Sequence, residues 1–207
     1  MQGPSVQEVY EALVREFKNT KLSISLVFEW CNLFLGDIHL NLRLQGEATL
    51  PLVAGKPDYG PAGSEGLPAD FYDSYSLLAS DGQTEWLPSV KFGEWGMQGT
   101  SLWNDRLYVQ PTPSHDDPTA RLYYWRWHPP LDPSVSPTTQ RLEIPPLFAG
   151  LPTLYSMAAH QEHTDQPDEA RTYRALYERG KGLLDAARKR QVERYTRRQL
   201  RKPPRFV

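Results

Sequence analysis

Apolar residues recur at helical spacing at both ends of the chain, and at strand spacing in its middle. Val6, Val9, Tyr10, Leu13, Val14 and Phe17 mark one face of a helix over about residues 5–18. Ser5 stands at its start and Glu8 three positions on, the spacing of a capping box. Asn19-Thr20-Lys21 breaks the pattern. A second helix is predicted over about 23–44, with Leu26, Val27, Trp30, Leu33, Phe34, Ile38 and Leu42 on its apolar side. Two such helices joined by a short break predict a hairpin.

From about residue 46 to 144 the chain is rich in Pro, Gly, Trp and Tyr, with short apolar runs between turn signals. Strands are predicted at Ala48–Val53, Phe71–Ala79, Thr84–Leu87, Leu107–Gln110 and Arg121–Trp127, with turns at Asp81-Gly82 and Asn104-Asp105. In the last strand Leu122, Tyr124 and Arg126 alternate with Tyr123, Trp125 and Trp127, so one face is aromatic. Lys56 to Gly66 holds five glycines or prolines in eleven residues and reads as a mobile loop. Helical texture returns over about 147–160, interrupted near Gly150 and Pro152, and again over about 167–200 behind Gln166-Pro167-Asp168. The stripe of this last helix is Tyr173, Leu176, Tyr177, Gly180, Leu183, Leu184 and Ala187. Its distal half has too few apolar residues for a core helix. Pro203-Pro204 then forces an extended tail over 201–207. The expected class is α+β, mainly α: a helical bundle with a β-rich insertion and a long C-terminal helix ending in that tail.

Charge sharpens this picture. The net charge is −2, yet residues from Arg171 onward hold 13 Lys/Arg against 3 Asp/Glu. Residues 1–170 hold the remaining 10 basic and 22 acidic residues. A cationic end on an acidic body suits an acidic partner: nucleic acid, a membrane surface, another protein, or a second copy of the chain. At 207 residues with one cysteine, the chain can bury a core, and Cys31 reads as a buried, inert thiol. MQGPSVQEVY has neither a basic start nor an apolar run, so no secretory signal is expected, and the most apolar stretch, Leu22 to Leu44, carries charges that argue against a membrane span.

Candidate chemistry is sparse. His160 and His163 share H-x-x-H spacing near Asp165, but a third ligand and the H-E-x-x-H pattern are missing, so they read as surface histidines. His115-Asp116-Asp117-Pro118 reads as a loop without partners. Glu29, Glu47, Asp70 and Asp73 read as caps, turns and ion pairs; a glycosidase acid pair needs a separation that sequence does not fix. No phosphate-binding, dinucleotide-binding or nucleophile-elbow motif occurs. Trp86, Trp95, Trp103, Trp125 and Trp127 suit a carbohydrate platform, a ring interface or the insertion's own core. No catalytic residue, cofactor or metal is expected.

The order of parts resembles the head-to-tail adaptor (connector) proteins of tailed bacteriophages. The resemblance is carried by the N-terminal helix pair, the G-L-P-A-D-F-Y block at Gly66–Tyr72 and the D-G turn at Asp81-Gly82. It continues through N-D-R-L-Y-V-Q-P at Asn104–Pro111, L-Y-Y-W-R-W at Leu122–Trp127, I-P-P-L-F at Ile144–Phe148, and the long last helix. The resemblance implies a single adaptor domain over 1–200 and a structural virion protein at the head–tail interface, made in the host cytoplasm and not an enzyme. It implies a homo-oligomeric ring of about a dozen subunits joining the portal to a tail or nozzle protein. Genomic DNA would pass through the ring, and no membrane is involved. It also implies that Arg197, Arg198, Arg201, Lys202, Pro203, Pro204, Arg205, Phe206 and Val207 dock into the portal. The Pro/Gly-rich loop and the aromatic insertion depart from the family pattern. Two other classes remain open from the residues alone: a peptidoglycan-cleaving virion enzyme, and a nucleic-acid-binding protein using the basic helix.

Overall fold

The computed structural model describes residues 3–19, 21–42, 44–87 and 98–200, without the side chains of Leu40 and of 191–200. The class is mixed α+β, with a helical fraction of 40% and two small antiparallel sheets. The chain divides into two compact units, residues 1–42 with 130–207, and residues 43–129.

The first unit is helical. Its first helix, α1 (Val6–Phe17), opens on the capping box legible in the sequence. Ser5 Oγ accepts from the Glu8 N–H at 3.1 Å, and the Ser5 N–H donates to Glu8 Oε2 at 2.8 Å. Lys18 ends it in the left-handed region at φ 50°. Helix α2 (Ile24–Leu42) buries Val27, Phe28, Trp30, Cys31, Phe34, Leu35, Ile38 and Leu42. Leu33, expected inside, is 53% exposed. Apolar residues surround α2, so periodicity alone leaves its rotation open, and packing against its neighbours selects the face.

The chain rejoins this unit at Pro130, earlier than the change of texture near 144 suggests. Asn32 holds the return point: its side-chain amide donates to Leu131 O at 3.0 Å and accepts from the Leu131 N–H at 2.8 Å. Residues 140–142 then lie antiparallel to the N-terminal segment, with Gly3 N–H to Leu142 O and Leu142 N–H to Pro4 O both at 3.0 Å. Leu142 and Ile144 are buried there.

A 3-10 turn at Pro146–Phe148 leads into α3 (Leu151–His163). Pro152 stands in the first turn of α3, where its missing N–H costs nothing, so it starts the helix instead of interrupting it. Helix α4 (Pro167–Leu200) runs for 34 residues. It lies closely against α3 at Gly180, where a Cβ would come within 2.4 Å of Leu151 Cδ2. Ala170, Tyr177 and Leu184 form its buried line.

The second unit packs two sheets around one core. Sheet order is β1-β7-β3-β4 in one and β2-β6-β5 in the other. The strands are β1 (Leu44–Thr49), β2 (Asp58–Tyr59), β3 (Phe71–Leu78), β4 (Glu85–Trp86), β5 (Gly99–Trp103), β6 (Arg106–Gln110) and β7 (Arg121–Arg126). The strand expected at Ala48–Val53 lies earlier, and β2 and β5 have no counterpart among the expected strands. Both expected turns are present. Asp81 Oδ1 accepts from the N–H groups of Gln83 and Thr84 between β3 and β4. Asn104 and Asp105, both at positive φ, join β5 to β6.

Leu122 and Tyr124 of β7 enter the core with Leu50, Tyr59, Leu77, Trp86 and Leu107. Gly46 of β1 lies opposite Tyr124, and a Cβ there would meet the phenol ring at 2.4 Å. The alternate residues of β7 form an aromatic row on the other side: Tyr75 lies 4.7 Å from Trp125 and 6.2 Å from Tyr123, and Tyr72 lies 4.9 Å from Trp127 between ring centres.

The Lys56–Gly66 loop is pinned, contrary to the mobile loop expected. Tyr59 is 1% exposed, and its hydroxyl accepts from the Val53 N–H at 2.9 Å. Glu65 gathers the Gly60 N–H at 3.1 Å, Arg106 Nη2 at 3.0 Å and Lys56 Nζ at 3.2 Å. Arg106 also pairs with Asp58. Glycine and proline count registers irregular backbone here, while the pinning comes from groups within and just before the loop and from the distant Arg106.

Candidate functional site

The sequence points to α4 and the residues beyond its end. Pro167, Asp168 and Glu169 open this helix, placing acids where the helix dipole favours them. Its inner side is tied into the first unit by polar and aromatic contacts together. Tyr177 donates its hydroxyl to Asp37 on α2, and Lys181 Nζ lies 2.8 Å from both oxygens of the same carboxylate. Burial raises the Asp37 carboxyl, but the bonds from Lys181 and Tyr177 outweigh it and hold the group below the usual carboxylate range. The Tyr177 phenol is pushed up by its own burial and by that carboxylate. Tyr155 of α3 meets Tyr177 edge-on at 5.2 Å, and Phe34 of α2 lies 5.9 Å and 6.1 Å from the two tyrosine rings.

Further along α4 the apolar burial thins. Leu184 is its last buried position among the described residues. Arg188, Lys189 and Arg190 come after it, with Lys189 paired to Asp185 at 2.7 Å. The helical backbone continues through Arg197 and Arg198 to Leu200. Arg190, Arg194, Arg197 and Arg198 stand at i, i+4, i+7 and i+8, which are register positions on one side of a helix. Of the nine docking residues implied by resemblance, Arg197 and Arg198 thus belong to α4. Arg201, Lys202, Pro203, Pro204, Arg205, Phe206 and Val207 lie outside the described residues.

Two positions expected inside the stripe of α4 face solvent instead: Leu176 is 48% exposed and Leu183 60%. Leu147, in the 3-10 turn, is 86% exposed. The pattern of the sequence marked Leu176 and Leu183 as apolar, but nothing in it said that the partner face was missing.

The other candidate groups have structural work. His160, expected at the surface, is 5% exposed, with its ring centre 4.6 Å from that of Phe17 and 5.9 Å from that of Trp30. Burial, with His163 nearby, lowers its pKa, and Nδ1 has no partner among the described residues. His163 stands exposed beside Trp30, and among the described residues no group of three metal-binding side chains occurs. Burial pushes the Cys31 thiol up to about 12, which makes it inert as expected.

Asp117, expected as an unpartnered loop residue, is 4% exposed and accepts from the N–H groups of Ser80 at 2.7 Å and Thr119 at 3.1 Å. Burial alone raises its carboxyl, and those donors more than offset that, leaving it below the ordinary range. Asp116 accepts from the Ala54 N–H. Among the acids considered for hydrolysis, Asp70 accepts from the Tyr124 hydroxyl at 2.9 Å and Asp73 from the Ser74 N–H at 2.8 Å. Glu47 lies 3.9 Å from Arg121. Trp86 is a core residue, Trp103 is half exposed at the β5–β6 turn, and Trp95 lies outside the described residues. No helix among the described residues is long and apolar enough to cross a membrane.

Two comparisons bear on this surface. The family described as SU10 adaptor protein matches residues 4–202, a span that takes in nearly all of the first unit, all of the second, and the whole of α4. No curated protein matches the chain.

Proposed function

This chain belongs to the SU10 adaptor protein family, a family of phage head–tail adaptors, and on that premise we propose that it assembles as a ring between portal and tail. The first unit and the β-rich unit are segments of the ring wall, and the ring leaves a channel for DNA. Residues from Arg197 to Val207 dock into the portal. The observation that carries this reading is the form of α4. Its helical backbone runs about 24 Å past Leu184 at 1.5 Å per residue, in a cation-rich stretch with little apolar character. A helix with so few apolar residues gains little from folding against its own body.

The tail chemistry suits a shallow groove on an acidic or carbonyl-rich surface. Pro203 and Pro204 narrow the free chain's conformations and so reduce what ordering costs, about 1–2 kcal/mol per residue of backbone. Phe206 is an apolar anchor worth about 1.5–3 kcal/mol when fully buried. Arg201, Lys202 and Arg205 steer the encounter and find carboxylates. One such tail binds weakly, and a ring of tails on a ring of grooves binds tightly by effective concentration.

Deleting Arg201–Val207 is expected to leave the circular dichroism and melting of the chain unchanged while abolishing its attachment to portal-containing heads. Undiminished attachment would refute tail docking.

A further inference from the structure

Two helices of the first unit carry apolar surface that the unit does not cover. On α4, Leu176 and Leu183 stand one heptad apart and are both half exposed. Leu183 borders a groove of about 440 Å3, whose floor includes Leu151, Leu154 and Gly180. Leu147 stands at its rim with Arg190. On α2, Leu33 is 53% exposed, Glu29 lies one turn before it, and at Gly36, one turn after, a Cβ would meet nothing within 4 Å. Among the described residues, Glu29 and Arg190 have no ion-pair partner.

We infer that the groove beside Leu183 seats the α2 stripe Glu29–Leu33 of a second copy of this chain. The inference rests on the ring reading and names the surfaces that build it. The two faces match in chemistry: each offers an exposed leucine, and one adds a cation where the other adds a carboxylate. They also differ from each other, so the contact is head-to-tail. Such a contact repeats from copy to copy and closes into a ring if the rotation allows, whereas a patch meeting itself stops at a dimer. The charge of the whole chain favours the same pairing, since residues from Arg171 onward carry ten net positive charges and residues 1–170 twelve net negative ones. Leu147 and Leu183 give the contact its apolar centre. Arg190 and Glu29 set its direction. Each contact can be modest, because every subunit in a closed ring is held from both sides.

Leu33 and Leu183 are exposed, so replacing either leaves the fold intact, and buried Cys31 stays silent toward thiol reagents. The test mixes a Leu33→Cys chain with a Leu183→Cys chain, alone and on portal-containing heads, and adds a short bis-maleimide. Mixed dimers are expected, and the double variant should give a ladder of oligomers. In parallel, Leu183→Asp should lower the share of protein in rings about tenfold or more, because it places an unpaired charge in an apolar contact. Arg190→Glu should weaken assembly and be rescued by Glu29→Arg.

Cross-links only between like chains would make the contact self-complementary and overturn the inference. So would capture of portal or tail protein at Leu183→Cys in place of a second copy. Rings that form normally in Leu183→Asp, with no mixed cross-link, would overturn the surface and leave the ring reading standing. A wild-type chain that never associates with itself, free or on heads, would sink both.

Discussion

The helical unit and the β-rich unit use their polar groups in different ways. In residues 43–129, buried polar groups hold loops: Asp117 fixes the backbone at Ser80 and Thr119, and Tyr59 fixes it at Val53. Four leucines of that core, Leu50, Leu77, Leu107 and Leu122, are wholly buried. In the helical unit, polar groups join helices distant in sequence, as Asp37 does with Tyr177 and Lys181, while Leu33, Leu147, Leu176 and Leu183 remain wet. The β-rich unit also leaves Val53, Tyr72, Leu102, Trp103 and Trp127 wet, so the two units contrast in how their polar groups tie them together and not in whether apolar surface stays uncovered. Large apolar residues grouped at an exposed surface, as Leu147 and Leu183 are, are uncommon on a monomer without a partner.

Substitutions at three positions test that contrast, beginning with the largest effect. Tyr177→Ala removes a fully buried ring joining three helices and is expected to cost about 3–5 kcal/mol in denaturant unfolding. Tyr177→Phe, which keeps the ring and loses only the bond to Asp37, should cost about 1–2 kcal/mol. Equal costs for the two would mean that the polar tie, and not the ring, joins the helices.

Next comes Asp117→Ala, which leaves the Ser80 and Thr119 N–H groups without their acceptor and should cost about 2 kcal/mol. Limited proteolysis should then cut first near residues 80 and 117. Uniform cleavage across the chain would show that Asp117 is not a local pin.

The smallest effect is a pH response. The His160 pKa is lowered in the folded state, so the unfolded chain binds the proton more readily. Stability is therefore expected to fall as pH drops below about 6.5, the ordinary histidine value. His160→Phe should remove that slope. Asp37 and Asp117, both lowered, contribute stability that is lost only as pH falls below about 3.8, the ordinary aspartate value, so the two windows separate. A melting temperature constant between pH 7.5 and 5.5 in the wild type would show that His160 takes up its proton without opening the helices.

Much of the molecule was legible before folding wherever the signal is local. The capping box at Ser5 and Glu8, the turns at Asp81-Gly82 and Asn104-Asp105, and the start of α4 at Pro167 involve residues a few positions apart. The cationic end needs only a count of charges. β2 and β5 were not legible, because a two-residue strand owes its existence to β6 across the sheet, and Gly99–Trp103 lacks a sustained alternation. His160 looked like a surface residue because nothing near it in sequence announces Phe17 and Trp30.

Helix content, the basic end and the adaptor resemblance thus arise from residue order, since each depends on spacing or composition within a short window. Which side of α2 and α4 turns inward, where the chain rejoins the helical unit at Pro130, and which leucines stay wet depend on pairings such as Asn32 with Leu131 and Gly180 with Leu151. Those pairings span from 29 to 99 positions of chain, and a pattern read along one segment holds no information about a surface that a distant segment will or will not cover.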